Sequence, residues 1–168
     1  VLTVAAEAEA DPFILASILH SESRGNSEAV RWCKTWESRK KYRCLKQATC
    51  YSDCGRKAIW SNRLDVGMWQ LRDAPSWSWF RWYEKTFDTE LAEQCALDPG
   101  CVNTVVVAVI MHLREATDGK DRRCKTPRGM KGPAWLERWN GCGSYRKHVK
   151  RAHKLRKTFQ KLKGLIFA

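Results

Sequence analysis

The order of apolar and polar positions predicts a helix near the beginning of the chain, from Asp11 to about Arg24. An Asp-Pro pair is typical of a helix start, and Gly25 ends the pattern. The apolar stripe of this helix falls on three positions with spacings of three and four: Leu15, Ile18 and Leu19. Glu22 is the next position on that stripe. A carboxylate therefore stands where a core helix normally carries a hydrophobic side chain.

Three further helices are predicted in the second half of the chain. Asp98-Pro99 is a suitable cap for a helix with a wide apolar face. That face consists of Val102, Val105, Val106, Val109, Ile110 and Leu113. This helix is the best candidate for the central core helix. A short helix over 133–139 precedes a last helix from about 144 to 163, which carries nine Lys and Arg residues among apolar ones.

The remaining segments predict irregular structure more than strands. Residues 27–62 are basic and rich in cysteine, which indicates a loop region held by disulfides. The aromatic segment that begins at Asp73 predicts a loop and then a helix that ends near Cys95. A chain of 168 residues suits one domain. We therefore predict a single, mainly α domain over 1–168, with a cysteine-rich insertion at 27–62 and a basic C-terminal helix at 144–163.

The eight cysteines, an even number, favour an oxidising compartment. Cys95 and Cys101 flank an Asp-Pro-Gly turn that allows them to pair locally, and Cys124 and Cys142 remain outside the insertion. A zinc site is the alternative use of cysteines, but the chain has no C-x-x-C motif. We expect no metal and no cofactor.

The composition also bears on where the protein works. No apolar run approaches the roughly 20 residues of a membrane span, so no transmembrane segment is expected. No charged-then-apolar leader is visible, and we expect that any signal segment has been removed. Together with the cysteines, this predicts an exported protein, either periplasmic or secreted.

The formal net charge of +13 indicates an anionic partner. Nucleic acid, anionic lipid and the acidic bacterial wall all attract such a surface. The basic helix over 144–163 has three interpretations. In the first, its basic side chains face solvent while its apolar stripe packs against the rest of the protein. In the second, the helix binds the anionic cell wall. In the third, it binds membrane or nucleic acid.

Glu22 is a candidate general acid. A carboxyl group that loses hydration against apolar side chains has a raised pKa. A raised pKa is what proton donation near neutral pH requires. The alternative is a partly exposed glutamate at a helix end, held by an arginine such as Arg24.

Four separated segments resemble, in the same order, motifs of lytic transglycosylases and goose-type lysozymes. Residues 22–30, ESRGNSEAV, look like the ESxFNPxAV stretch of these enzymes. Residues 67–71, GMWQL, resemble GLMQL. Residues 138–141, RWNG, are similar to AYNAG, and residues 143–149, GSYRKHV, look like the closing xxYVxKV helix.

This resemblance implies a lysozyme-like fold of the goose-type or soluble lytic transglycosylase kind. It covers residues 11 to about 160 and places the insertion at 27–62 after the first catalytic helix. It implies that Glu22 is the catalytic acid. Trp139 stands where the family has a tyrosine, and Tyr145 is the candidate for supplying that hydroxyl.

Substrate contacts are expected from five residues: Gln70, Trp69, Asn140, Tyr145 and Trp139. Gln70 and Asn140 have an alternative role as hydrogen-bonding groups of a turn and a helix end. Trp69, like Trp77 and Trp79, is suited to stacking on a sugar ring or to filling the core. Met68-Trp69 in place of the family's Leu-Met adds aromatic surface and indicates a non-standard substrate.

Asp65 is the candidate second carboxylate. It lies two residues before Gly67 and is similar to the Asp in the DYGxxQI stretch of hen-type lysozyme. Facing Glu22, it would act as a nucleophile or as a base that holds a water molecule. The alternative is a loop-capping aspartate. Glu22 would then serve as both acid and base, and close the muramic 6-hydroxyl onto C1 to form a 1,6-anhydro end.

We therefore expect an exported, monomeric muramidase that cleaves the β-1,4 MurNAc–GlcNAc bond of peptidoglycan. Hydrolysis is the expected outcome, on a glycan that includes the de-N-acetylated form. The anionic cell-wall surface is an expected partner, and nucleic acid is not. The alternatives are a lytic transglycosylase and an inactive cationic wall-binding protein.

Overall fold

The computed structural model describes residues 1–27, 30–32, 64–74, 77–92, 95, 98–120, 124 and 130–166. These residues are mainly helical, as predicted, with one small antiparallel sheet. The chain divides into two compact units, one formed by Val1–Ser21 with Ile110–Ala168 and the other by Glu22–Val109. The single lysozyme-like domain stays a prediction. Most of the cysteine-rich insertion, including Cys33, Cys44, Cys50 and Cys54, lies outside the described residues.

The helices of the described residues are α1 (Leu2–Glu7), α2 (Pro12–Glu22), α3 (Trp79–Phe87), α4 (Pro99–Thr117) and α5 (Trp135–Ile166). The alanine-rich start forms α1, which was not predicted. Helix α3 ends well before Cys95, because Asp88 adopts the left-handed conformation with φ 47°. Helix α5 is interrupted at Gly141, where φ is 71° and ψ is 174°. A break between a short and a long helix is therefore confirmed.

Helix α2 begins and ends close to its predicted positions. The Oδ1 atom of Asp11 accepts a hydrogen bond from the backbone N–H of Phe13 at 2.9 Å, which caps the first turn. Leu15 and Ile18 are both 0% exposed. The helix ends at Glu22, and Gly25 with φ +82° continues in the left-handed conformation that glycine adopts readily.

The prediction for α4 is confirmed in detail. Oδ1 of Asp98 accepts a hydrogen bond from the backbone N–H of Cys101 at 2.6 Å. The six residues of the predicted apolar face are each 5% exposed or less: Val102, Val105, Val106, Val109, Ile110 and Leu113. This continuous burial is what makes α4 a core helix in both units.

The sheet has the order β1-β2-β3-β4 and lies in the Glu22–Val109 unit. Its strands are β1 (Val30–Trp32), β2 (Leu64–Val66), β3 (Leu71–Ala74) and β4 (Trp77–Ser78). All three pairings are antiparallel. The sequence pattern does not predict this sheet, because strands of two to four residues are too short to show an alternation of apolar and polar positions.

Polar contacts join α5 to α2 in the unit formed by the chain ends. Ser17 Oγ lies 3.2 Å from Nδ1 of His148, and both residues are 1% exposed or less. Arg151 donates a hydrogen bond to Ser21 Oγ, and Arg156 forms an ion pair with Asp11. Helix α2 is thus tied to α5 near its start, its middle and its end.

Two disulfides are present among the described residues, Cys95–Cys101 and Cys124–Cys142. The first bridge is the local pairing that the Asp-Pro-Gly turn allows, one of the connectivities that the sequence left open. The second bridge connects the loop before α5 to the residue after the break at Gly141. Among the helices that the structure describes, none is both long enough and apolar enough to cross a membrane.

We predict that Gly132→Ala destabilises the protein by about 1–3 kcal/mol, because the site has no room for a methyl group. An added Cβ would lie 2.4 Å from Cγ2 of Val149 and 3.0 Å from the hydroxyl oxygen of Tyr145. Gly143→Ala is the matched control, since a Cβ there meets nothing within 4 Å. It should leave stability unchanged or raise it by up to about 1 kcal/mol. Urea unfolding measures both, and equal stability of the two variants would contradict this packing.

We predict that His148 makes stability fall in weak acid. Burial lowers its pKa from 6.5 to about 4, assisted by the cations Lys147 and Arg151 and opposed by the hydrogen bond to Ser17. Between these values the unfolded chain binds a proton that the folded protein excludes, so stability falls as the pH drops. The loss is on the order of 3 kcal/mol from pH 7 to pH 4.

Urea unfolding across this pH range tests the effect by difference. His148→Asn should have a flatter pH dependence than the parent protein, whereas His20→Asn, at an exposed position of α2, should follow the parent. Identical slopes for parent and His148→Asn would show that this imidazole does not titrate as described.

Candidate functional site

The candidate acid Glu22 is the last residue of α2 and is half-buried. The next residue, Ser23, donates a hydrogen bond from its Oγ to the carbonyl oxygen of Met68 at 2.6 Å. Ser23 Oγ also accepts from the backbone N–H of Gly25 at 3.0 Å. One hydroxyl therefore closes the turn after α2 and attaches this turn to a segment 45 residues further along the chain.

That segment, residues 67–70, is the turn between β2 and β3. Gly67 has φ 76° and Gln70 has φ 49°, so both lie in the left-handed region. The backbone N–H of Gln70 donates to the carbonyl of Gly67 at 3.1 Å, and its side-chain Nε2 donates to the same oxygen at 2.8 Å. The side chain is 7% exposed. Gln70 thus acts as a turn-forming residue, the alternative that the sequence left open.

Trp69 lies in the core. It is 1% exposed, and its indole N–H donates to Oδ1 of Asn103 on α4 at 2.7 Å. A ring that is enclosed in this way presents no face to a sugar, so the structure does not support the expected stacking role of Trp69. The hydrogen bond to Asn103 explains how the polar end of a fully buried tryptophan is satisfied.

Half-buried aromatic rings occur nearby in sequence, on α3. The rings of Trp79 and Trp82 meet edge to face at 5.4 Å between centroids. The rings of Tyr83 and Phe87 lie 4.6 Å apart. Trp79 was a candidate from the sequence, but Trp82 was not, because an aromatic run does not show which rings keep an accessible surface.

Asp65 occupies the middle of β2, an inner strand of the sheet. Its Cα register partners are Arg31 on β1 and Arg72 on β3. The backbone of Asp65 thus belongs to a paired strand and not to a loop.

The other three candidates lie in the unit formed by the chain ends. Trp139 is half-buried, and its ring packs edge to face against Trp135 at 6.1 Å. Asn140 immediately precedes the break at Gly141. Tyr145 is 0% exposed, and its hydroxyl donates to the carbonyl of Gly132 at 3.1 Å. The structure therefore does not support Tyr145 as a sugar contact, because its hydroxyl is used inside the core.

Sequence reasoning missed two residues that organise this region. Ser23 was treated as part of a motif, and only the structure shows that its hydroxyl reaches Met68. Asn103 lies on α4, a helix that the sequence identifies by its apolar face of valines. Its Oδ1 accepts the hydrogen bond from the indole N–H of the buried Trp69. A polar residue next to a strongly apolar stripe was the available signal for Asn103.

The described part of the chain contains no group of three His, Cys, Asp or Glu side chains placed to hold a metal ion.

No protein-family model, curated protein or solved structure matches this chain. What points to a function is the ordered set of motifs in the sequence and the hydrogen bond that joins two of them.

Proposed function

We propose that this protein is an exported muramidase that cleaves the β-1,4 bond between MurNAc and GlcNAc in peptidoglycan. The observation that carries the proposal is the 2.6 Å hydrogen bond from Ser23 Oγ to the Met68 carbonyl. It joins two of the segments that resemble lytic transglycosylase motifs, ESRGNSEAV and GMWQL. Segments that are brought together by a specific contact make a stronger case than the same segments in sequence alone.

Glu22 is the proposed general acid. Cleavage of a glycosidic bond requires a proton for the leaving oxygen and stabilisation of an oxocarbenium-like centre. Glu22 is half-buried and is the last residue of α2, directly before the turn that Ser23 attaches to Met68. This placement at the edge of the described hairpin supports it as the proton donor.

Asp65 is the proposed second carboxylate. It lies in β2, two residues before the turn that Ser23 attaches to the end of α2. One protonated and one ionised carboxyl group is the division of roles that glycoside hydrolysis uses. We therefore favour hydrolysis, with 1,6-anhydro formation by Glu22 alone as the second outcome.

The glycan itself is proposed to include the de-N-acetylated form. Formation of a 1,6-anhydro end can use the N-acetyl group of the substrate. An enzyme that cleaves a glycan lacking this group therefore depends more on Asp65. The two disulfides support the proposed export of the protein, because disulfides persist in oxidising compartments outside the cytosol.

An inactive cationic wall-binding protein is the second candidate function. The observation that favours it is the burial of Trp69 and Tyr145, which removes two of the expected sugar contacts. A net charge of +13 would still hold such a protein on an anionic wall.

We predict that Glu22→Gln lowers the rate of peptidoglycan cleavage at least ~100-fold, because the amide cannot donate the catalytic proton. Clearing of a cell-wall suspension and release of reducing ends measure the rate. Glu90→Gln is the matched control, since Glu90 is an exposed carboxylate of the same unit and should keep full activity. If Glu22→Gln clears walls as fast as the parent, the enzyme proposal is wrong and wall binding remains.

We predict that the products carry ordinary reducing ends and that Asp65→Asn reduces their formation at least ~100-fold. Mass spectrometry of native and de-N-acetylated peptidoglycan digests, run in parallel, distinguishes the two reactions. Products lighter by one water, formed equally by the parent and by Asp65→Asn, would replace hydrolysis with 1,6-anhydro formation.

A further inference from the structure

The apolar stripe of α5 continues beyond the part of the helix that is buried. Ala152, Leu155, Phe159 and Leu162 follow one another at spacings of three and four, so they share one face of the helix. Ala152 is 2% exposed, whereas Phe159 is 57% and Leu162 is 51% exposed. The helix thus buries the first part of its stripe and leaves two large apolar side chains in contact with solvent.

Specific contacts hold this part of the helix in place. The ring of Phe159 packs edge to face against Phe13 at 5.8 Å between centroids. The guanidinium group of Arg156 lies 5.2 Å from the centre of the Phe13 ring and forms an ion pair with Asp11. Phe159 is therefore displayed by an ordered element that is anchored to α2.

The charged side chains that α5 itself carries after Glu137 are all basic. The sequence contains no Asp or Glu after Glu137, and it contains nine Lys and Arg residues within 144–163. Seven of these nine are exposed: Arg146, Lys147, Lys150, Lys154, Lys157, Lys161 and Lys163. At 100° per residue, Lys154 lies about 80° from Leu162 and Lys163 about 40° from Phe159, so these two lysines flank the exposed pair. Lys157 and Lys161 lie on the opposite side of the helix. An anionic partner is the one that this surface complements.

We propose that the end of α5 binds the surface of an anionic lipid bilayer. We call this surface the α5 lipid face and define it by Lys154, Phe159, Leu162 and Lys163. Phe159 and Leu162 enter the headgroup region, while the lysine ammonium groups pair with lipid phosphates. Lysine suits this position because its alkyl stem reaches along apolar surface while its charge stays in water.

The apolar side chains select lipid over the other anionic partners. Non-specific binding of nucleic acid or wall polymers requires only the basic side chains. It would give the exposed apolar side chains of Phe159 and Leu162 nothing to contact. A second copy of the chain is disfavoured, because two cationic helices repel each other. Two exposed side chains also fall far short of the roughly 800 Å² per partner that a stable interface buries. This proposal is independent of the muramidase proposal.

Co-sedimentation of the full chain with vesicles tests the α5 lipid face. Vesicles that contain phosphatidylglycerol with phosphatidylcholine should bind the protein at about 150 mM salt, and phosphatidylcholine vesicles should not. The double variant Phe159→Ser/Leu162→Ser should bind at least ~10-fold more weakly. Met111→Ser is the control for loss of an exposed apolar side chain, since Met111 is 46% exposed on α4, and it should bind like the parent.

The contribution of charge has its own pair of variants. Lys154→Gln/Lys163→Gln should lower vesicle affinity roughly fivefold per lysine. Lys85→Gln/Lys131→Gln, at exposed positions outside the α5 lipid face, should bind at least fivefold more tightly than this pair. Equal binding of neutral and anionic vesicles would overturn the proposal, as would an unchanged affinity of Phe159→Ser/Leu162→Ser. A dimer in lipid-free solution that this same variant dissociates would assign the surface to a second copy instead.

Discussion

The hydrogen bond between Ser23 and Met68 is the contact on which the candidate site depends. Without it, Glu22 would be a glutamate at the end of a helix, and the turn at residues 67–70 would be an ordinary hairpin connection. The 2.6 Å bond from a side-chain hydroxyl to a backbone carbonyl gives the turn after α2 a defined partner. Because the acceptor is backbone, the contact depends on the path of the hairpin and not on the identity of the residue at position 68.

The hairpin is in turn held from two sides. Gln70 closes it by donating two hydrogen bonds to Gly67, and Trp69 anchors it to α4 through Asn103. These residues looked like ligand contacts, since glutamine and tryptophan are common in sugar-binding sites. In the structure they build the support for the turn. A rigid support is itself a functional requirement, because proton transfer depends on the placement of the donor within a fraction of an ångström.

The helices show how far sequence alone reaches. The start of α2, the start of α4 and the apolar face of α4 were all predicted. Each depends on residues that are close in sequence, such as a capping aspartate or a periodic apolar stripe, so local physics suffices. The sheet was not predicted, because its short strands are stable only when they pair with one another. For β1 and β2 the paired residues lie more than thirty positions apart in the chain.

For the candidate site, the sequence determined the types of residue and their order: a glutamate on an apolar stripe, an aspartate before a glycine turn, and a strongly basic last helix. Only the tertiary structure decided which of these side chains are enclosed. Trp69 and Tyr145 are buried and satisfied by Asn103 and Gly132, while Phe159 and Leu162 are exposed at the end of a stripe that the sequence shows as uniform. The physical reason is that helical periodicity identifies the apolar face of a helix, whereas burial depends on how far the packed body extends along that face.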